Sequence, residues 1–132
     1  ARFWKPRDKA GIRPHAATVA TARVGGGTPP ILTDDGWLTL WHGVEPKEIV
    51  GIYRTYWSLL DRDDPAHVIH TRHAPLLEAN PALTQPLEAQ MYIHDVVFTT
   101  GIADAGDHYV VASGEADLAC RITHIPKSRF AV

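Results

Sequence analysis

Apolar residues in this chain mostly alternate with polar ones instead of recurring at helical spacing, and ten glycines and ten prolines cut the alternation into short runs. Alternation puts successive side chains on opposite faces of a pleated ribbon, so the pattern demands strands with one buried face. Runs at 19–24, 37–42, 49–60, 68–71, 92–100, 108–113 and 118–125 read as strands. Turn chemistry marks the breaks: Asp34-Asp35-Gly36, the hairpin loop Glu45-Pro46-Lys47-Glu48, Asp61-Arg62-Asp63-Asp64-Pro65 and Ala105-Gly106-Asp107. Residues 80–90 contain two prolines and read as loop, and residues 64–67 offer the one helical turn. The expected fold class is all-β.

A weak internal repeat appears when Gly43 is set against Gly114. Gly36-Trp37-Leu38-Thr39-Leu40-Trp41-His42-Gly43 then faces Asp107-His108-Tyr109-Val110-Val111-Ala112-Ser113-Gly114, and Pro30-Ile31-Leu32-Thr33 faces Val97-Phe98-Thr99-Thr100. Either any two β-hairpins look this alike, or each unit is a small antiparallel sheet of the kind stacked in β-propellers.

Composition narrows the function classes. The 132 residues suit a single domain, and 13 Lys plus Arg against 15 Asp plus Glu give a net charge of −2. With no block of like charges, neither a nucleic acid nor a membrane surface is an expected partner. No apolar stretch approaches the roughly 18 residues that cross a bilayer. No secretory signal is read at the start, and the opening Ala1 points to a trimmed chain or a piece of something longer. The single cysteine, Cys120, reads as buried packing and suits a reducing, cytoplasmic setting.

A short hairpin loop would pair Val44 with Ile49, placing His42 opposite Gly51 and Leu40 opposite Tyr53. His42 and Tyr53 then share a face as diagonal neighbours, roughly 7–8 Å apart at Cα. Gly51 would leave open space above His42 for a ligand. Two readings stay open on spacing alone: core residues with satisfied hydrogen bonds, or polar tips converging on a small anion or hydroxyl.

The run Gly36-Trp37-Leu38-Thr39-Leu40-Trp41-His42-Gly43-Val44 carries more. It is preceded by Gly25-Gly26-Gly27-Thr28-Pro29-Pro30-Ile31 and followed by Tyr53-Arg54, Leu59-Leu60-Asp61, Asp64-Pro65, Val96-Val97-Phe98 and Gly114-Glu115-Ala116-Asp117. In that order these motifs resemble glycoside hydrolase family 130, the β-mannoside phosphorylases and β-1,2-mannosidases. The resemblance implies a five-bladed β-propeller, of which this chain would be an incomplete part: about two blades, a single C-terminal fragment spanning 1–132. An unclosed ring exposes strand edges, so a homo-oligomer is expected.

The resemblance also implies roles. Arg23, His42 and Tyr53 match positions that hold inorganic phosphate, and Asp117 matches an Asp that binds the mannosyl unit. The catalytic general acid belongs to the absent N-terminal part, so no catalytic residue is expected in this chain. Inorganic phosphate would be the co-substrate, a β-mannoside oligosaccharide the partner, and no cofactor or metal is implied. Arg23 stands for the family's Lys, Trp41 for Tyr, Thr55-Tyr56 for Leu-Gly and Thr99-Thr100 for a Pro-containing pair. The implied reaction is an inverting displacement in which phosphate attacks the anomeric carbon, needing a cationic and hydroxyl cradle and no second carboxylate. A β-mannosidase would replace that cradle with a carboxylate that activates water. The other alternative is a non-catalytic, truncated domain that binds glycan or self-associates.

Other residues read as structural. His67 and His73 would face one way on a strand and His70 the other, so they converge poorly on a metal. Asp61, Asp63 and Asp64 read as turn residues, Trp37 and Trp41 as packing on the face opposite His42, and Glu88 and Asp95 as secondary cavity candidates.

Overall fold

The computed structural model describes residues 23–132. Strand β1 (Arg23–Gly26) is followed by β2 (Ile31–Thr33), β3 (Gly36–Glu45), β4 (Ile52–Leu60) and β5 (Val68–Thr71). A helical turn α1 (Pro81–Thr84) and a 3-10 segment (Gln85–Gln90) lead to β6 (Val97–Asp104), β7 (His108–Glu115) and β8 (Ala119–Pro126), and a second 3-10 turn (Lys127–Phe130) follows. All pairings between these strands are antiparallel and form two sheets, β1/β2-β3-β4-β5 and β6-β7-β8. The all-β expectation therefore holds. Residues 19–22 of the first expected strand lie outside the described residues.

The two sheets repeat one plan, but not with the alignment expected. β1 pairs with the second half of β3 and β2 with its first half, so the two are one strand interrupted at Gly27–Pro30. In the second sheet β6 spans both halves of β7 and absorbs the irregularity as a bulge between Thr99 and Gly101. By pairing, Ile31 thus corresponds to Asp104, and β1 to the start of β6. The interruption needs Gly27, whose absent Cβ would lie 2.8 Å from the Leu40 carbonyl oxygen. Both Gly27 and Thr28 donate their N–H to that oxygen at 3.1 Å.

The β3–β4 hairpin has a longer loop than expected. Val44 pairs with Tyr53, not Ile49, so Leu40 faces Trp57 and His42 faces Thr55 rather than Gly51. Ile49 and Val50, although strand formers, sit in the turn, and Ile49 is 98% exposed. Backbone geometry decides it: Glu48 and Gly51 have φ of 50° and 90°, and Gly51 donates to the Lys47 carbonyl at 2.8 Å. A Cβ on Gly51 would lie 2.7 Å from the Glu45 carbonyl oxygen, which commits this position to glycine. The register error is an even number of residues, so each side chain keeps its face.

Residues 80–90 are helical turns rather than loop. Both prolines sit in first turns, where the missing N–H has no intrahelical role, and the Asn80 side chain caps α1 by accepting from Ala82 N–H at 3.2 Å. Residues 64–67 form a turn closed by His67 N–H to the Asp64 carbonyl, not a helix. β6 starts at Val97 rather than 92. Cys120 is exposed, on the face of β8 opposite the buried Ile125, which corrects its reading as packing.

The inner faces of the sheets share one core: Leu38, Leu40, Trp57 and Leu59 from the first, Val97, Tyr109, Val111 and Ile125 from the second. Phe130 meets the rings of Trp57 and Tyr109 edge-on, each at 5.4 Å between centroids. A line of buried hydroxyls also crosses the interface. Thr55 Oγ1 lies 2.7 Å from Thr99 Oγ1, which in turn lies 2.9 Å from Ser113 Oγ. The Glu115 carboxylate, 1% exposed, accepts from Asn80 N–H and pairs with Arg121 at 3.3 Å, clamping the loop before α1 onto the second sheet.

Replacing Thr99 by Val keeps the side-chain volume but strands the hydroxyls of Thr55 and Ser113. A loss of about 1–3 kcal/mol in urea unfolding is expected, against within about 0.5 kcal/mol for the exposed neighbour in Thr100→Val. Equal small effects for the two would show that the hydroxyl line adds nothing.

Candidate functional site

His42 continues the core row of β3. Leu38, Leu40 and His42 share one face of the strand; the two leucines are 1% and 0% exposed, whereas His42 is half-buried at the rim of the core. The alternation that builds the core therefore delivers a polar ring to its edge.

Cross-strand pairing builds the surroundings. Arg23, Val44 and Tyr53 form one row across β1, β3 and β4, and Gly25, His42 and Thr55 form the next. Directly paired residues project to the same side, so Arg23, His42 and Tyr53 share one face. The His42 and Tyr53 rings are 5.5 Å apart. The glycine that faces His42 is Gly25, and it leaves no open space: a Cβ there would lie 2.4 Å from His42 Nε2. A third ring, Phe98 of β6, stands 4.8 Å from His42 and 6.2 Å from Tyr53. Phe98 escaped the sequence reading as a site residue, though one signal was present. It is a large apolar residue at an exposed position between the buried Val97 and Thr99.

The electrostatics follow from this packing. His42 Nδ1 is buried and, among the described residues, has no hydrogen-bond partner. Burial lowers the imidazole's pKa from its ordinary value, the backbone at Gly26 pulls it back in part, and the Arg23 guanidinium lowers it again. His42 is thus neutral at neutral pH, with one ring N–H to donate and one nitrogen to accept. Arg23 reaches the hairpin loop, donating from Nη2 to the Val50 carbonyl at 3.3 Å.

Asp117 stands apart from this group. It occupies the β7–β8 turn with Ala116, both at φ of 52°, and Leu118 N–H closes the turn on the Glu115 carbonyl at 3.1 Å. Ala116 N–H bonds the Val96 carbonyl, and Val96 bridges to Tyr53, so Asp117 lies at the same end of the molecule. Among the described residues no hydrogen bond or ion pair joins its exposed carboxylate to Arg23, His42 or Tyr53. Asp95, next to Val96, accepts Tyr53 N–H on its carbonyl at 2.9 Å and an ion pair from Lys47 on its carboxylate at 2.7 Å. Glu88 is exposed on the 3-10 segment.

The remaining candidates behave as structure. Trp41 stacks on Tyr56 at 4.8 Å and donates to Ser58 Oγ, away from His42. Asp61 accepts the N–H groups of Asp63 and Asp64, which holds its carboxyl below the usual range. His70 packs on Trp57 while His67 is exposed beside Asp61. Among the described residues no group of three or more His, Cys, Asp or Glu is placed to hold a metal ion, and no helix is long and apolar enough to cross a membrane. A cavity of about 590 Å³ opens at the other end of the core, between Leu38, Asp34, Arg62, Tyr109 and Lys127.

The lowered His42 pKa makes stability depend on pH. Above about 6.5 the ring is neutral both folded and unfolded; below it the unfolded chain takes up a proton that the folded chain refuses, so stability falls with acidification. The urea midpoint is expected to drop between about pH 7.5 and pH 5.5, and His42→Gln to flatten that slope. An unchanged slope in the variant would place the acid sensitivity elsewhere.

The family profile Glyco_hydro_130, described as beta-1,4-mannooligosaccharide phosphorylase, matches residues 13–130. A beta-1,2-mannobiose phosphorylase of Thermoanaerobacter sp. (strain X514) is 34% identical over 118 residues, covering 89% of this chain and 37% of that protein. A 1,2-beta-oligomannan phosphorylase of the same organism is 40% identical over 106 residues, covering 80% and 33% respectively. The solved beta-1,2-mannobiose phosphorylase of Listeria innocua, in complex with beta-1,2-mannobiose, superposes with a TM-score of 0.72 at 33% identity, over 90% of this chain and 31% of that one. The chain thus spans about a third of the length of the relatives it matches. With the profile covering nearly all of it, and the strand order and His42 motif in place, this chain belongs to glycoside hydrolase family 130.

Proposed function

We propose that this chain supplies the phosphate-holding wall of a β-mannoside phosphorylase, with the catalytic general acid contributed from outside it. The observation that carries the reading is the convergence of Arg23, His42 and Tyr53 on one face, with a buried, unpartnered ring nitrogen on His42. A guanidinium and a phenol can together donate to the oxygens of one phosphate, the guanidinium adding the positive charge, with the His42 ring beside them. Phosphate oxygen would form the new bond to the anomeric carbon as the glycosidic C–O bond breaks. The external acid would give its proton to the departing sugar oxygen. Asp117, at the same end of the molecule, would accept hydroxyls of the mannosyl unit. No cofactor is needed for this chemistry.

The same reading takes the two sheets as adjacent blades of an incomplete five-bladed propeller, the C-terminal fragment of a longer domain. The repeated strand plan and the shared core support it. Open edges at β5 and β8 then favour a homo-oligomer. A cytoplasmic setting suits the exposed thiol of Cys120. Phosphorolysis is favoured over hydrolysis because the carboxylate of Asp95, whose carbonyl accepts Tyr53 N–H, is engaged by Lys47 rather than poised to activate water.

Titration calorimetry with inorganic phosphate tests the site. Binding is expected in the wild-type chain and at least about tenfold weaker in His42→Ala, about 1.4 kcal/mol. No phosphate binding by the wild type would overturn the reading. Incubation with β-1,2-mannobiose and phosphate is expected to give no turnover, since the acid is absent. Mannose 1-phosphate would show that copies of the chain complete one another's site, and free mannose without phosphate would move the reading to a hydrolase.

A further inference from the structure

We infer that Phe98 is a positioning residue for His42: its ring, brought from the second sheet, holds the imidazole over Gly25 in the orientation that presents it to the bound anion. The inference deepens the phosphate-site reading and rests on it for the identity of the anion.

Three contacts hold the imidazole. Gly25 lies beneath it, close enough that any side chain there would collide with Nε2. Tyr53 flanks it at 5.5 Å and Phe98 at 4.8 Å, both tilted against its plane. Two of these contacts come from the strands next to His42 on its own sheet. Among the described residues, Phe98 alone packs its ring against it from the other sheet and so couples the orientation of His42 to the docking of the sheets.

The placement of Phe98 is itself constrained. Its neighbours Val97 and Thr99 are 0% and 1% exposed, and Thr99 is hydrogen-bonded to Thr55, the residue paired with His42. β6 cannot slide without breaking that buried bond. Across its own sheet Phe98 is paired with Gly114, which offers no side chain to pack against. The ring therefore turns past the edge of β6 toward His42, where it remains 36% exposed. Large apolar surface left open at a strand edge is unfavourable unless it covers something. Here it borders the imidazole whose Nδ1 is buried without a partner. The titratable groups facing that ring are Arg23 from β1 and Tyr53 from β4, and β6 contributes the uncharged Phe98.

Side-chain NMR of His42 across a pH titration separates positioning from simple packing. In Phe98→Ala the titration midpoint is expected to rise toward the ordinary value of about 6.5, and phosphate affinity to fall about tenfold, about 1.4 kcal/mol. Phe98→Tyr, which keeps the ring, is expected to restore both. Phe98→Leu serves if the alanine variant does not fold. A folded Ala or Leu variant whose His42 titrates as in the wild type would overturn the inference, even if its thermal stability had dropped. A wild type that binds no phosphate would instead sink the phosphate-site reading, while the titration would still decide the role of Phe98.

Discussion

Thr55 and Thr99 share a hydrogen bond of 2.7 Å between side chains that are 0% and 1% exposed, and the ring arrangement at the rim of the core depends on it. Buried hydroxyls cost free energy unless paired, so a hydroxyl on each sheet specifies one docking of the sheets in a way that apolar contacts alone do not. Thr55 is the cross-strand partner of His42, and Thr99 is the neighbour of Phe98. One bond thus fixes both the base of the imidazole and the strand carrying the ring beside it. The backbone follows suit: Thr55 N–H bonds the Leu77 carbonyl and Tyr53 N–H the Asp95 carbonyl, tying β4 to the segments that lead into and out of the helical turns.

On the motif resemblance drawn from the sequence, that bond joins two of the positions at which the chain differs from the family pattern. Two more, on the same resemblance, pair across β3 and β4. Trp41, in place of Tyr, lies directly opposite Tyr56, in place of Gly, and the two rings stack at 4.8 Å. An indole needs more room and a partner surface than a phenol does, and a ring opposite supplies it where a glycine would leave a hole. Departures that touch one another are changes in packing behind the site. On the proposed reading the Arg23, His42 and Tyr53 face is left intact by them, apart from the guanidinium at Arg23 itself.

Much of this was legible in the sequence because alternation is a local signal. β3, β5, β7 and β8 fall within a few residues of where the pattern put them, and along β7 and β8 exposure alternates residue by residue. Register is not local. Ile49 and Val50 have strand-forming side chains, and nothing in their identity shows that Glu48 and Gly51 take positive φ and turn the chain there. The shared face of His42 and Tyr53 survived only because the error was even. The helical turns at 81–90 were hidden by prolines, which forbid helix interiors but suit first turns. Phe98 was hidden because its contact with His42 crosses between sheets, and no periodicity within one strand reports on that. Asp117 sits in the β7–β8 turn, and a turn position carries no information on where an exposed carboxylate points.

On the proposed reading, the charge arrangement suits a face that holds an anion and takes its acid from elsewhere. Four carboxylates near the site end are committed, Glu45 and Glu78 to Arg54, Glu115 to Arg121, and Asp95 to Lys47, while that of Asp117 is exposed. Each pairing neutralises a negative charge that would otherwise repel phosphate, and each also removes a group that could deliver a proton to a leaving oxygen. Glu115 shows the trade most clearly. Buried, doubly engaged and adjacent to the turn that carries Asp117, it stabilises the second sheet and is thereby unable to serve as a general acid. On the proposed reading, these pairings lessen the negative charge beside the Arg23, His42 and Tyr53 face. On the proposed reading, the acid then has to approach from the opposite side of the sugar on another part of the assembly, and the inverting geometry of the displacement asks for the same separation.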